Sequence, residues 1–327
     1  MFNIWLTKKC NLRCKYCYEG IEKSSEMLSK DIIPLLIEFI DKNNVADTLS
    51  INFHGGEPLL NTEAASDILK PLKKKYEGML VSLTTNGTIA DPKTLKFIRK
   101  NVSELTVSID GAKLTHDKYR VFPDGSGSFE TVMNNVPLLK KNSALMRYRM
   151  TFNHETVSEL YNNIVFLGEN GFDNVVAIPD YFDNGWDDES VAVFRKQLSA
   201  LKKLSEHTDY YVPFCDPSEY KPRYKCAGGM GTYNIDFDGK LYPCTYTVGD
   251  DRYCIGNIIN GVDKSRIERL CSDIYDKDVE SCNDCKAKQY CASYRCKYIN
   301  EKLTGDLFTP SVNVCELTRC ELENIFC

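Results

Sequence analysis

Apolar residues recur with two alternating periods along the first two-thirds of the chain. Short apolar runs of strand length alternate with segments in which apolar residues fall three and four positions apart, which is typical of helices. This pattern predicts strands at residues 2–7, 49–54, 80–85, 104–109, 145–152 and 174–179. It predicts helices at residues 31–42, 63–76, 92–100, 129–141, 156–170 and 188–206.

Strands and helices that alternate in this way imply an α/β fold, with a parallel sheet and covering helices. The crossover connections are then right-handed. The period alone leaves two arrangements open, an open doubly wound sheet and an incomplete barrel. In both arrangements ligands bind at the carboxyl ends of the strands, so the residues that follow each strand are the first candidates for a site.

The cysteines divide the chain into two regions. Of 15 cysteines, three lie at residues 10–17, none at 18–214 and twelve at 215–327. Helical periodicity also weakens in the second region, and a small region with little apolar core needs metal or covalent staples. We therefore expect an α/β domain over residues 1–212 and a cysteine-rich domain over residues 213–327.

The charge balance and the N-terminal residues argue against several classes of protein. With 41 basic and 46 acidic side chains, the net charge of −5 disfavours a nucleic-acid-binding or polybasic membrane protein. No apolar stretch approaches the roughly 20 residues of a transmembrane helix, and residues 1–9 lack the pattern of a secretion signal. We therefore expect a cytoplasmic protein without nucleic-acid or membrane partners, whose cysteines bind metal or act in catalysis.

The first predicted strand is followed directly by Cys10, Cys14 and Cys17, with the spacing C-x3-C-x2-C. Thiolates are the usual ligands of iron–sulfur clusters, and three of them can hold three irons of a 4Fe–4S cluster and leave the fourth iron open. Basic side chains around the triplet would offset the negative charge of such a cluster. They are Lys8, Lys9, Arg13 and Lys15. Taken alone, the triplet also fits structural or zinc-binding cysteines.

Polar groups also follow the next three predicted strands. These strands end in His54-Gly55-Gly56-Glu57-Pro58, in Thr85-Asn86-Gly87 and in Ser108-Ile109-Asp110-Gly111. Glycines allow a ligand to approach the backbone, and a glutamate accepts a hydrogen bond from an ammonium group. The hydroxyl and carboxylate groups suit a ribose, and Arg120 downstream suits a carboxylate. Polar groups at four consecutive strand ends predict one continuous site.

Together these motifs closely resemble those of the radical S-adenosylmethionine enzymes. The resemblance rests on Cys10-Asn-Leu-Arg-Cys14-Lys-Tyr-Cys17, on Gly55-Gly56-Glu57-Pro58 and on Ser108-Ile-Asp110-Gly, and it covers about residues 1–205. It implies a partial (β/α)6 TIM-like barrel. It also implies that the three cysteines hold a 4Fe–4S cluster, whose open iron is chelated by the amine and carboxylate of S-adenosylmethionine.

The resemblance further implies which residues bind S-adenosylmethionine. They are Tyr16, Gly56, Glu57, Ser108, Asp110 and Arg120. Tyr16 matches a contact to the adenine, and Gly56 and Glu57 match the groups around the methionine amine. Ser108 matches a cosubstrate contact on the fourth strand, and Arg120 matches a contact to the carboxylate. Asp110 equally fits a role in shaping the turn before Gly111. The implied chemistry is reductive cleavage of the sulfonium, after which a 5′-deoxyadenosyl radical abstracts a hydrogen from the substrate.

The C-terminal cysteines form a second array. It runs Cys226-x12-Gly239-x4-Cys244, then Cys282-x2-Cys285-x5-Cys291-x4-Cys296, and ends with Cys315. On spacing alone, the array suits zinc and iron–sulfur sites equally. Beside the first motif it resembles the SPASM extension, the iron–sulfur domain of radical enzymes that act mostly on peptides and proteins.

The SPASM resemblance covers roughly residues 215–327 and implies two auxiliary 4Fe–4S clusters. The implied ligands of the outer cluster are Cys282, Cys285, Cys291 and Cys315. Those of the inner cluster are Cys226, Cys244 and Cys296, with Cys215, another nearby cysteine or no residue as the fourth. The role of Cys296 departs from the family spacing, because four residues instead of the usual three separate it from Cys291. The unassigned cysteines are Cys254, Cys271, Cys320 and Cys327.

The two resemblances together imply a peptide maturase. Such an enzyme abstracts a hydrogen from a ribosomal peptide and installs a cross-link, for which a thioether is our first hypothesis. The expected partners are a cysteine-containing peptide or protein substrate and a flavodoxin- or ferredoxin-type electron donor. Because Cys10 is the first cluster cysteine, the peptide-recognition domain of about 80 residues that many maturases carry does not fit before it. Recognition is then expected to use a separate protein or the surfaces of the two domains.

Three alternatives stay open. An anaerobic sulfatase-maturating enzyme carries an acidic base directly after the cysteine matching Cys244, where this chain has Thr245 with Asp250 and Asp251 nearby. An enzyme that modifies a haem precursor or another small molecule is the second. The third is a non-catalytic iron–sulfur or zinc scaffold, which would not need the strand-end motifs. Trp5 is expected to be a packing residue, and His54 to be structural or solvent-facing.

Overall fold

The computed structural model describes residues 1–222 and 224–326. The chain forms two compact units, each made of three stretches of sequence. The first unit comprises Met1–Ser108, Arg120–Arg147 and Ala227–Leu270. The second comprises Ile109–Tyr119, Tyr148–Cys226 and Cys271–Cys327. Both units are discontinuous in sequence, and the two-domain division at residue 212 stays a prediction.

The strands confirm the positions predicted from the apolar pattern. They are β1 (Phe2–Thr7), β2 (Ser50–Gly55), β3 (Leu80–Thr85), β4 (Glu104–Ser108), β5 (Leu145–Phe152), β6 (Val175–Pro179), β7 (Tyr233–Ile235), β8 (Lys240–Tyr242), β9 (Gly256–Asn257) and β10 (Gly261–Val262). The six predicted strands are β1 to β6, and each of their ends lies within one residue of its predicted position. The short strands β7 to β10 belong to the cysteine-rich part of the sequence and were outside the prediction.

The helices of residues 1–212 follow the predicted order with one addition, and four more helices lie in the described part of the cysteine-rich region. They are α1 (Ile33–Asn43), α2 (Thr62–Lys75), α3 (Pro92–Asn101), α4 (Lys113–Tyr119), α5 (Phe129–Asn142), α6 (Leu160–Glu169), α7 (Asp188–Ser205), α8 (Lys264–Leu270), α9 (Ala292–Arg295), α10 (Lys297–Thr304) and α11 (Val312–Phe326). The addition is α4, which has no apolar stripe because Leu114 is 88% exposed. Within the described parts of the chain, none of these helices has the length and apolarity needed to cross a membrane.

Parallel pairing dominates the sheet of the first unit. The strands β1 to β4 pair in parallel in chain order, as alternating strands and helices predict. On the other side of β1 lies β7, also parallel, with Phe2 opposite Tyr233. The strands β8, β9 and β10 continue the sheet in antiparallel pairs. The sheet next to the first cysteines is therefore completed by a strand that is distant in sequence.

The two faces of this sheet differ in polarity. In β2, Ile51 and Phe53 are fully buried, whereas the alternate residues Asn52 and His54 are partly exposed. Because successive side chains of a strand point to opposite faces, the sheet has an apolar face and a polar face. The polar face continues on β3, where Thr84 is exposed.

A row of hydrogen-bonded side chains crosses the polar face from β7 to β3. The Nδ2 atom of Asn3 donates to Asn234 Oδ1 at 2.8 Å, and Asn52 Nδ2 donates to Asn3 Oδ1 at 3.1 Å. The Ser82 hydroxyl then donates to Asn52 Oδ1 at 3.1 Å. Each pair occupies opposite positions on neighbouring strands. Because a slip of one residue would move these groups to the apolar face, the row helps to fix the strand register.

The second unit is built around aromatic side chains. In it β5 and β6 pair in parallel, with Tyr148 opposite Val175. The ring of Phe152 lies 6.3 Å from that of Trp186 and 5.4 Å from that of Phe194, between centroids. Helix α7, which carries Phe194, packs against α11. This packing holds α11, and the cysteines it carries, in a fixed position within the unit.

We expect the Asn3→Ala substitution to destabilise the protein by about 1–3 kcal/mol. The change leaves the buried side-chain oxygen of Asn234 and the side-chain amide of Asn52 without their partner. A buried polar group without a hydrogen-bond partner costs about 1–3 kcal/mol. Urea unfolding followed by circular dichroism measures the effect. The control is Asn170→Ala, at an exposed helix end, where a change within about 0.5 kcal/mol is expected. Equal losses in the two variants would contradict a register role for the row.

Candidate functional site

The cysteine loop, residues 8–17, follows β1 and is closed by its own backbone contacts. The Cys17 amide donates to the Cys14 carbonyl at 3.1 Å. The Arg13 guanidinium donates to the Cys10 carbonyl at 2.9 Å, and Leu12, which is fully buried, anchors the middle of the loop. The three cysteines are partly exposed and form no disulfide. The loop therefore presents three thiols from one short segment.

Hydrogen-bond donors surround the sulfur atoms of this loop. The Leu12 amide lies 3.4 Å from Cys10 Sγ, and Asn86 Nδ2 approaches the same sulfur at 3.8 Å. The Lys23 ammonium lies 3.0 Å from Cys17 Sγ. Amide and ammonium donors stabilise negative charge on sulfur. These donors therefore offset part of the cost of placing negative charge on the sulfur atoms of Cys10 and Cys17.

The donor set fits a 4Fe–4S cluster. Each thiol of such a site binds a different iron, so the three sulfur atoms need not surround a single point. In residues 1–222 and 224–326, no three cysteine, histidine or acidic side chains are arranged to hold a single metal ion. Burial raises the pKa of the Cys10 thiol to about 11. Binding of iron must therefore displace a proton from this cysteine.

Two glycines at the end of β2 seat the cysteine loop. Gly55 has a φ of +127°, and a Cβ atom there would lie 2.1 Å from the Thr7 carbonyl oxygen. A Cβ atom on Gly56 would lie 2.5 Å from the Lys9 carbonyl oxygen. The amides of Gly56 and Glu57 donate to these same two carbonyls, each at 2.9 Å. The close approach that these glycines permit is thus to the backbone of the loop itself, and the predicted contact of Gly56 with the cosubstrate stays a prediction.

The Glu57 carboxylate joins the ends of β2 and β3. One of its oxygens accepts hydrogen bonds from the Leu59 amide at 3.1 Å and from the Thr85 hydroxyl at 2.9 Å. The other accepts from the Asn86 amide at 2.7 Å. The side chain is fully buried, and burial raises its pKa to about 7 although these hydrogen bonds act in the opposite direction. Its role in binding the methionine amine stays a prediction.

Tyr16 and Arg120 are brought together although they are far apart in sequence. The Arg120 guanidinium donates to the Tyr16 hydroxyl at 2.7 Å, and Arg120 is 6% exposed. The Arg13 amide also donates to the Val121 carbonyl at 2.7 Å, which ties this segment to the cysteine loop. Ser108, at the end of β4, is almost buried. Five of the six predicted cofactor-binding residues thus lie in the first unit with the loop: Tyr16, Gly56, Glu57, Ser108 and Arg120.

Asp110 lies in the second unit and has an evident role in the local fold. It is 1% exposed, and its carboxylate accepts from the Thr151 amide at 3.0 Å. The next residue, Gly111, has a φ of +101°, and a Cβ atom there would lie 2.3 Å from the Asn163 side chain. These contacts favour the turn-shaping role of Asp110, and a cofactor contact stays a prediction.

Four cysteines predicted to hold the outer cluster influence one another within the second unit. The thiols of Cys315 and Cys291 form a hydrogen bond. This bond lowers the pKa of Cys291 and raises the pKa of Cys315. Burial raises the pKa of Cys282, and the nearby Cys291 and Cys285 raise it further. Arg319 hydrogen-bonds Cys285. The structure therefore gathers these four thiols into one group, although their role as cluster ligands is still a prediction.

The ligands predicted for the inner cluster are divided between the units. Cys226 and Cys296 belong to the second unit, where both raise the pKa of the buried Lys297 against the larger lowering effect of burial. Cys244 belongs to the first unit and precedes the short turn that begins at Thr245. The assignment of these three cysteines to one cluster stays a prediction.

Cys215, the candidate fourth ligand, and the unassigned Cys254 have ordinary local surroundings. The Cys215 thiol donates to the Pro213 carbonyl at 3.5 Å, and the Cys254 thiol donates to the Gly256 carbonyl at 3.2 Å. Cys320 is 1% exposed within α11. Cys327 lies outside the described residues.

Trp5 and His54 form a stacked pair on the polar face of the first unit. They occupy opposite positions on β1 and β2, and their ring centroids lie 4.7 Å apart. The Trp5 indole nitrogen donates to Glu19 Oε1 at 2.8 Å, which fixes the indole plane. Burial lowers the pKa of His54 to about 4, so its imidazole is neutral at physiological pH.

A partly buried ion pair lies near this stack. Lys8 Nζ is 3.2 Å from Asp236, whose side chain is 3% exposed, and 5.0 Å from the centroid of the Phe237 ring. Both Lys8 and Asp236 act on the pKa of Glu19, the partner of Trp5. We call the set Trp5, His54 and Asp236 the inner row. The sequence predicted a packing role for Trp5 and a structural or solvent-facing position for His54. The signal that could have joined them is the alternation of polar and apolar residues in β1 and β2.

The Glu57→Gln substitution is expected to change how stability depends on pH. The pKa of Glu57 is about 7 in the folded chain against an ordinary 4.5, so the folded state holds the proton more tightly than the unfolded state. The stability from Glu57 is then full below its unfolded pKa and falls by at most about 1.4 kcal/mol per pH unit as the pH rises through the folded pKa.

Urea unfolding of wild type and Glu57→Gln between about pH 5 and pH 8 measures this effect. The wild type should lose stability relative to the variant as the pH rises. Glu63→Gln, which removes an exposed carboxylate, is the matched control. A wild-type-to-variant difference that is the same at every pH would contradict the argument.

Comparison with known proteins identifies the family. The sequence model of the Radical SAM superfamily matches residues 5–178, more than half of the chain. The chain is 27% identical over 281 residues to a cysteine-type anaerobic sulfatase-maturating enzyme of Clostridium novyi (strain NT), a match that covers 77% of this chain and 74% of that protein.

Two solved structures share the fold over nearly the whole chain. Native anSMEcpe with bound AdoMet and Kp18Cys peptide has a TM-score of 0.80 at 20% identity, covering 99% of this chain and 96% of that one. Streptococcus suis SuiB bound to precursor peptide SuiA has a TM-score of 0.63 at 16% identity, covering 96% and 75%. These likenesses confirm the predicted fold class, an α/β partial barrel with an unclosed parallel sheet and a cysteine-rich C-terminal region. The chain therefore belongs to the radical S-adenosylmethionine superfamily, and it is an enzyme that uses a 4Fe–4S cluster and S-adenosylmethionine.

Proposed function

We propose that this enzyme is a peptide maturase that joins a carbon of a ribosomal peptide to a cysteine sulfur. The observation that carries the proposal is the group formed by Cys282, Cys285, Cys291 and Cys315. Bond formation between a carbon radical and a thiolate leaves one electron to be removed. A 4Fe–4S cluster held by this group would accept that electron. The shared fold with two enzymes whose structures contain a peptide gives further support.

The cysteine loop would hold the cluster that starts the reaction, through Cys10, Cys14 and Cys17. With S-adenosylmethionine bound, that cluster supplies a 5′-deoxyadenosyl radical, which removes a hydrogen atom from the substrate. The chain itself must hold the substrate in place and exclude water. The site is kept in shape by two contacts. Glu57 fixes the end of β3 through the Asn86 amide, and Arg120 fixes the cysteine loop through the Tyr16 hydroxyl.

The inner row is the proposed floor for the substrate residue. His54 is partly exposed and stacks on Trp5, which is 1% exposed, and the neutral imidazole offers one hydrogen-bond donor and one acceptor. Lys8 and Asp236 balance each other in charge. An uncharged side chain or a backbone amide matches these groups better than a charged side chain does.

Formylglycine formation in a sulfatase is the second candidate, and the identity with the Clostridium novyi enzyme favours it. The carboxylates near Thr245 are engaged elsewhere, which weakens this reading. Asp250 accepts hydrogen bonds from the Arg252 guanidinium at 2.6 Å and 3.0 Å, and Asp251 accepts one from the Lys240 ammonium at 2.9 Å. Each carboxylate therefore already has a cationic partner at the protein surface.

The remaining partners are part of the same proposal. A flavodoxin or ferredoxin would supply the first electron. Either a separate protein or the surfaces of this chain would recognise the peptide. Modification of a haem precursor would need neither a peptide nor a recognition surface.

An anaerobic assay with S-adenosylmethionine and a reductant distinguishes these functions. The test peptides are a cysteine-containing peptide encoded in a reading frame adjacent to the gene of this protein, and the Kp18Cys peptide. We expect 5′-deoxyadenosine and a peptide that keeps its sulfur but has lost two hydrogen atoms and its free thiol. An aldehyde product without the sulfur would favour sulfatase maturation instead. The absence of 5′-deoxyadenosine under all conditions would count against any radical reaction.

The His54→Ala substitution tests the inner row. With the peptide that wild type modifies, we expect modified peptide per 5′-deoxyadenosine to fall by about ten- to a hundredfold, because a misplaced substrate reacts poorly. Cleavage of S-adenosylmethionine should continue. His54→Asn, which retains a hydrogen-bonding group, should recover part of the loss, and the exposed His207→Ala is the control. Unchanged coupling in His54→Ala would remove the inner row from the proposal.

A further inference from the structure

The segment after the cysteine loop folds back against β1. We call residues 18–28 the return loop. Its first turn is closed by the Gly20 amide, which donates to the Cys17 carbonyl at 2.9 Å. At its other end, the Leu28 amide donates to the Leu6 carbonyl and the Thr7 hydroxyl donates to the Glu26 carbonyl, at 2.9 Å and 2.7 Å. The return loop is therefore attached at both ends.

Lys23 lies in the middle of the return loop and points to the cysteines. Its ammonium is 3.0 Å from Cys17 Sγ, and the side chain is partly buried. Its charge also acts on a second cysteine of the triplet, since it lowers the pKa of Cys10 against the larger effect of burial. A single cation thus reaches two of the three proposed ligands.

Two of the other cations near the triplet, Lys8 and Arg13, are used differently. Lys8 is paired with Asp236 at 3.2 Å, and Arg13 donates to the backbone carbonyls of Cys10 and Leu12. Sequence analysis selected these residues to offset the charge of a cluster, because they are adjacent in sequence. Lys23 is six residues beyond Cys17, and only the folding of the return loop brings it to the sulfur.

We infer that Lys23 raises the reduction potential of the cluster held by Cys10, Cys14 and Cys17, through a charge-assisted hydrogen bond to Cys17 Sγ. Reduction adds one electron and no proton, so the reduced cluster carries one more negative charge. A cation beside a ligand sulfur stabilises the reduced state more than the oxidised state. Hydrogen bonds to the sulfurs act in the same direction.

This inference concerns the supply of the first electron and does not depend on the identity of the substrate. It rests on the proposed ligand role of Cys17. It also makes Lys23 a positioning and tuning residue, because the ammonium acts through the sulfur and touches neither the substrate nor the bond that breaks.

An anaerobic redox titration of the reconstituted enzyme, with dithionite as reductant and electron paramagnetic resonance as readout, tests it. The signal that changes on addition of S-adenosylmethionine identifies the cluster with the open iron. The variants are Lys23→Met, Lys23→Gln and Lys23→Arg. The control is Lys30→Met, which removes the same charge from an exposed ion pair with Glu63.

In Lys23→Met we expect the ratio of reduced to oxidised cluster at a fixed potential to fall about tenfold, which equals a shift of about 59 mV for one electron. Lys23→Gln, which keeps a donor without the charge, should fall between Lys23→Met and wild type. Lys23→Arg and Lys30→Met should titrate like wild type. Iron and sulfide per chain should be the same in all of these proteins.

Three results would overturn the inference. The first is a Lys23→Met potential equal to that of Lys30→Met at equal iron content. The second is loss of iron in both Lys23→Met and Lys23→Arg, which would make Lys23 a residue of loop assembly. The third is a Cys17→Ala protein that keeps the S-adenosylmethionine-sensitive signal, because Cys17 would then not be a ligand. None of these results depends on peptide modification, so they are distinguishable from a failure of the proposed function.

Discussion

The buried carboxylate of Glu57 is the interaction on which the geometry of the cysteine loop depends. A carboxyl group without solvent is costly to ionise, and that cost appears as the raised pKa. Hydrogen-bond donors on Leu59, Thr85 and Asn86 offset this cost, and the carboxylate in turn fixes the positions of these donors. Asn86 then carries the constraint to Cys10, since its side-chain amide approaches that sulfur. The end of β3 is thereby positioned against the loop that follows β1.

The glycines before Glu57 act on the same loop from the backbone. With a side chain at Gly55 or Gly56, the carbonyls of Thr7 and Lys9 would have to move away, and the amides that bind those carbonyls would lose them. The motif Gly55-Gly56-Glu57 therefore works as one unit: two residues without side chains allow contact, and one carboxylate locks the neighbouring strand. A cosubstrate bound at these strand ends would meet a surface whose shape is already determined by the protein.

Sequence reasoning succeeded where the determining interactions are local. The strands β1 to β6 follow from apolar periodicity, and the cysteine triplet follows from its spacing. It missed α4, whose apolar residues are exposed, and it missed the pairing of β7 with β1, which joins Asn3 to Asn234. Lys23 was missed for the same reason, because its contact with Cys17 exists only once the return loop has folded back. For Glu57 the motif was found, but the sequence could not indicate that its hydrogen-bond partners lie on β3.

The polar face of the first unit has a physical cost that its structural role does not fully explain. Parallel sheets covered on both sides usually carry near-continuous apolar strands, whereas β2 alternates Ile51 and Phe53 with Asn52 and His54. The row that starts at Asn3 satisfies its own amides and supports the register. His54 differs, because no hydrogen bond to its imidazole is found among residues 1–222 and 224–326 and its ring, stacked on Trp5, is partly exposed. Under the proposed function, the substrate peptide takes the place of water as the hydrogen-bond partner of this imidazole.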